Sequence, residues 1–104
     1  MQHYLQIAVP SVTIAEIAQG IEALPAGRRC TELGKLLREM LEDYPVLPFD
    51  TREALEWGRY VVAAGRPLPV LDSIIAATAL INDLEVVTDN TGDFPGVDTV
   101  NPLG

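Results

Sequence analysis

One cysteine, Cys30, and one histidine, His3, are the only thiol and imidazole groups in this chain of 104 residues. No intrachain disulfide can form, and no Cys cluster exists to hold zinc or an iron–sulfur centre. A reducing, cytoplasmic setting is therefore expected. Positive charge is scarce as well: seven bases stand against fifteen acids, a formal net charge of −8. That balance argues against tight nonspecific nucleic-acid binding through counterion release. No apolar run is long enough to cross a bilayer, and the polar start Met1-Gln2-His3 lacks the basic flank and apolar core of a signal peptide. A soluble protein without membrane association is expected. The chain also lacks a Gly-rich phosphate loop, an internal repeat, a low-complexity tract and a linker. His3 stands alone, and Cys30 has no histidine nearby, so neither suggests a nucleophilic dyad.

What remains is a chain with 48% apolar residues, enough for one modest core and hence a single domain spanning residues 1–104. Helical and extended patterns alternate along it. Tyr4 to Val9 reads as a strand ended by Pro10, followed by a helix from about Ser11 or Thr13 to Leu24 carrying Ile14, Ile17, Ala18 and Ile21 at 3.6-residue spacing. Leu33, Leu36, Leu37, Met40, Leu41 and Tyr44 form one apolar stripe of a second helix. Arg28, Arg29, Lys35 and Arg38 share that segment with Glu32, Glu39 and Glu42, and read as a solvated face of paired charges. Val46 to Phe49 is a short strand. Asp50 and Glu53 have the spacing of a capping pair for a third helix, which Gly65 stops. A fourth helix, Val70 to Asn82, is apolar nearly all round and is expected to be packed on several sides. Strands Glu85 to Thr88 and Val97 to Val100 complete an α/β pattern with a mostly parallel sheet. Trp57, Tyr60 and Tyr44 fall at helical positions and are expected in the core.

The chemistry rests on carboxylates. In Thr13-Ile14-Ala15-Glu16 the spacing is that of a capping box, so Glu16 has an ordinary structural reading. Asp72 lies in the first turn of the most apolar helix, where the helix dipole favours a negative charge and an unpaired buried carboxylate would be costly. Asp89 and Asp93 occupy the Thr-Asp-Asn-Thr-Gly-Asp turn after a strand, a setting in which such residues often serve backbone geometry. Parallel sheets bind ligands beyond the carboxyl ends of their strands. Together, Glu16, Asp72 and Asp93 form an oxygen-donor set of the kind Mg²⁺ or Mn²⁺ takes, able to activate water against a phosphodiester.

The segments VPSVTIAEIAQGIEALPAGRR, LPFD, AAGRPLPVLDSIIAATA, VVTDNTGDF and VNPLG resemble, in that order and over essentially the whole chain, a PIN-domain ribonuclease of the VapC/FitB toxin type. The stretch from Asp72 to Phe94 carries the most specific part. The resemblance implies a three-layer α/β/α fold, Mg²⁺ (or Mn²⁺) held by Glu16, Asp72 and Asp93 with Asn90 near them, and RNA as substrate. It also implies a cognate antitoxin as inhibitor and a homodimer as assembly.

Two departures from the family pattern stand out. Family members begin with a strand ending in Asp-Thr-Asn, whose Asp is the first metal ligand. This chain starts after that point, so an N-terminally truncated fold lacking one acid and one central strand is expected. Asp89 stands where the family commonly has a basic residue. Two readings follow. One is a Mg²⁺-dependent endoribonuclease toxin, the missing ligand replaced by water, by Asp89 or by preceding sequence. The other is a catalytically inactive relative that keeps a dimerisation or antitoxin-binding surface, with the Leu33 to Tyr44 helix as interaction element. A gene fragment that folds poorly or exchanges strands between copies is the third.

Overall fold

The computed structural model describes residues 7–88 and 90–101, so His3, the first half of the expected Tyr4 to Val9 strand and Asp89 lie outside the described residues. The chain divides into two compact units, Met1–Leu47 and Pro48–Gly104.

In the first unit, strand β1 (Val9–Pro10) leads directly into helix α1 (Ser11–Glu22), followed by helix α2 (Arg28–Asp43) and strand β2 (Val46–Leu47). The strands pair in parallel, with Val9 opposite Val46 and Pro10 opposite Leu47. Pro10 has the extended backbone of an N-cap (φ −63°, ψ 142°), so α1 begins at Ser11 rather than at a Thr13 cap. The capping-box reading of Thr13 and Glu16 is thereby corrected: no side chain caps this helix, and both residues lie inside it. The α2 stripe forms as its periodicity requires, but no residue of α1 or α2 is fully buried. Tyr44, expected in the core, is exposed because its backbone turns extended at the end of α2 (φ −126°, ψ 141°) and leaves the stripe.

The second unit holds helices α3 (Thr51–Ala64) and α4 (Val70–Ile81), strand β3 (Val86–Val87), a 3₁₀ turn at Thr91–Asp93 and strand β4 (Thr99–Val100). Strands β3 and β4 are also parallel, Val86 opposite Thr99 and Val87 opposite Val100. The Glu53 half of the expected capping pair is in place, its Oε1 accepting the Asp50 N–H at 2.9 Å. At the other end Gly65 takes the left-handed conformation (φ +67°) that a side chain would strain, and α3 stops there. Helices α3 and α4 pack together. The buried residues of α4 are all small, Ser73, Ala76, Ala77, Thr78 and Ala79. Ser73 and Thr78 lose no hydrogen bond by burial: their hydroxyls donate to Val70 O and Ile74 O one turn back. Burial does not extend all round α4, since Val70, Leu71 and Leu80 remain exposed. The core of the unit is Tyr60, Ala76, Ala79, Val86, Phe94 and Val97, with Val61, Leu68 and Ile75 against it. Among the described residues no helix is long and apolar enough to cross a membrane.

Candidate active site

Glu16 belongs to the first unit, an exposed residue in the second turn of α1. Asp72 and Asp93 belong to the second, and both are half-buried. Pro69, extended (φ −55°, ψ 130°), sets the start of α4, and its carbonyl accepts the Ser73 N–H at 2.9 Å. That places Asp72 in the first turn, where the unpaired N–H groups of the helix favour a carboxylate. The turn is anchored from α3: Trp57 donates its indole N–H to Ser73 Oγ at 2.8 Å.

Asp93 closes the 3₁₀ turn that follows β3. Its Oδ2 accepts a hydrogen bond from Asn90 Nδ2 at 2.5 Å, and its own N–H reaches Asn90 O at 3.2 Å. The Asn90 N–H in turn donates to Thr88 Oγ1 at 3.0 Å. Asn90 therefore acts on Asp93 in this structure, fixing the carboxylate plane through its amide donor. Only its Oδ1 remains as an oxygen for any other ligand.

Carboxylate and amide oxygens are the donors that hard divalent cations take. In number they fall short: among the described residues no group of three or more His, Cys, Asp or Glu side chains could hold a metal ion. The described residues by themselves thus do not assemble a cation cage, and Asp89 lies outside them.

The residues that hold the Asp93 turn were not singled out from the sequence. Tyr60 Oη donates to Pro95 O at 2.8 Å, and Arg66 Nη2 donates to Gly92 O at 2.5 Å. Burial pushes the Tyr60 phenol above its usual range, and the positive charge of Arg66 offsets part of that rise. In the sequence, Tyr60 reads only as an apolar-face aromatic and Arg66 only as a scattered charge. The one usable signal is the position of Arg66 between a helix-stopping glycine and a proline, which marks a fixed point in a short connection.

The PIN domain profile matches residues 2–99, nearly the whole chain. The chain belongs to the PIN domain family. It is 36% identical over 104 residues to the plasmid stability protein StbB of Pseudomonas syringae pv. tomato, covering 88% of this chain and 72% of that protein. It is 34% identical over 100 residues to VapC ribonuclease Y4jK of Sinorhizobium fredii, covering 88% of this chain and 71% of the relative. Among solved structures, FitAB bound to an IR36 DNA fragment superposes with a TM-score of 0.82 at 26% identity, over 95% of this PIN domain and 75% of that chain. The expected α/β fold of the PIN type, with parallel strands, is thereby borne out. The chain's relatives include proteins named a VapC ribonuclease and a FitB toxin.

Proposed function

We propose that this PIN domain is an endoribonuclease toxin of a toxin–antitoxin pair, cleaving RNA phosphodiesters with Mg²⁺ or Mn²⁺ and with Asp72 and Asp93 among the acids that act. A homodimer and inhibition by a cognate antitoxin protein belong to the same reading. The observation that carries it is the placement of Asp72 and Asp93. Both are half-buried, Asp72 in the first turn of α4 and Asp93 at the end of the 3₁₀ turn that follows β3, in a chain 34% identical to a VapC ribonuclease. Asn90 holds the Asp93 carboxylate in one orientation, so its second oxygen faces a constant direction. Mg²⁺ held by these acids together with further oxygen ligands would supply charge neutralisation at the phosphate and a more acidic water.

Purified protein incubated with RNA and Mg²⁺ tests the reading. Cleavage should stop on chelation, and Asp72→Asn or Asp93→Asn should each lower it by roughly 10²-fold or more, the scale of a lost acid–base or charge-stabilising group. Cleavage that survives both substitutions at the parent rate would rule out this site.

A second reading, an inactive antitoxin-binding module, is favoured by α2. Its apolar stripe leaves Leu36, Leu41 and, at its end, Tyr44 exposed, and none of its residues is buried. Antitoxin that co-purifies with a protein devoid of nuclease activity is the result expected from it.

A further inference from the structure

The Asp93 turn is fastened to the rest of its unit by groups that carry no acid. Gly92, one residue before Asp93, is held through its carbonyl by Arg66. Pro95, two residues after, is held through its carbonyl by Tyr60. Between the two tethers the Phe94 side chain is inserted into the core, 5% exposed, in the same cluster as Tyr60. The acid is therefore bracketed on both sides by fixed points on α3 and on the connection that follows it.

That connection, residues 65–69, does a second job. It leaves α3 at Gly65, whose left-handed backbone sets the direction in which Arg66 departs, and it ends at Pro69, which opens α4 three residues before Asp72. One five-residue segment thus carries the strut to the Asp93 turn and the start of the Asp72 helix. Both tethers run to backbone carbonyls, so they fix where the chain lies and involve neither carboxylate.

We propose that Arg66 and Tyr60 are positioning residues, which hold the Asp93 turn in register with the Asp72 end of α4. The inference rests on the ribonuclease reading, in which the two acids serve one phosphodiester. A displacement of about 1 Å at such a site costs on the order of 10²-fold in rate.

The test uses Arg66→Ala, Arg66→Lys and Tyr60→Phe in the full chain, with amide hydrogen exchange at residues 91–94 measured beside steady-state RNA cleavage. In Arg66→Ala, exchange in the turn should rise and kcat should fall roughly 10- to 100-fold with KM little changed. Arg66→Lys keeps one N–H donor and should recover most of both. Tyr60→Phe removes a single oxygen and should loosen the Pro95 side of the turn in the same direction, which keeps the inference testable if Arg66→Ala does not fold. Parent-like exchange at residues 91–94 in both Arg66→Ala and Tyr60→Phe overturns the proposal. So does a rise in KM at constant kcat, which would make Arg66 a contact for RNA phosphate instead. Asp93→Asn separates the two levels. If it cleaves like the parent, the site reading itself is lost; if it is inactive while Arg66→Ala is fully active, only the positioning role is lost.

Discussion

Tyr60 joins two environments that its sequence position does not reveal. Its ring is buried among Ala76, Ala79, Val86, Phe94 and Val97, and its hydroxyl donates to Pro95 O. A phenol in that setting resists ionisation, because the phenolate would be both desolvated and deprived of the proton it donates. Its folded-state pKa is accordingly raised above 10.0, the value it regains on unfolding. Between those two values the unfolded chain has lost a proton that the folded chain still holds, so stability falls as pH rises through that window. Below the unfolded value the contribution is fully present. Urea denaturation at a series of alkaline pH values should show this decline in the parent and a shallower one in Tyr60→Phe. At neutral pH the same substitution should cost about 1 kcal/mol for the lost hydrogen bond. Equal alkaline slopes in the two proteins would show that Tyr60 does not control the transition.

The start of α3 is an element whose reason is visible in the sequence. Asp50 and Glu53 have capping spacing, and Glu53 is 4% exposed with its Oε1 on the Asp50 N–H. Glu53→Ala should therefore lower stability by about 1 kcal/mol, while Glu53→Gln, which retains the acceptor oxygen, should lose much less. Shifts in the urea midpoint at constant slope would measure both. Elements set by local chemistry were legible in this way: the Gly65 stop, the α2 stripe and the Val70 helix all lie within a residue or two of the pattern that announces them. Where the backbone alone decides, the side-chain pattern misleads. The extended Pro10 starts α1 at Ser11, so the capping pattern of Thr13 and Glu16 marks no helix end, and the extended Tyr44 took an aromatic out of its stripe. At the candidate site, the acids could be named from residue type and setting. Arg66 and Tyr60 could not, since each acts on a carbonyl 26 or 35 positions away and carbonyls leave no mark in a sequence.

Charge belongs to the whole molecule, and here it opposes the proposed substrate. With a formal charge of −8 the protein repels a polyanion at long range, and several of its seven bases are engaged within the chain. Arg28 pairs with Glu32, Arg59 with Glu56, and Arg66 is committed to Gly92. Few cations are left to displace counterions from RNA. The slope of log affinity against log salt for a single strand is about −0.7 per phosphate neutralised, so two or three contacts give a slope near −2. Raising salt from about 50 to 200 mM should then weaken RNA binding by no more than roughly 20-fold, against the 10³-fold or more expected of a basic RNA-binding surface. The measurement is a titration of a fluorescent RNA oligonucleotide against catalytically silent Asp93→Asn at several salt concentrations. A slope steeper than about −4, which needs roughly six phosphates neutralised, would mean that most of the seven basic residues converge on the strand, and that RNA is captured by a broad charged face. The shallow slope would instead place recognition in short-range contacts around the acids, where a few fixed groups, and the backbone that holds them, decide which phosphodiester is reached.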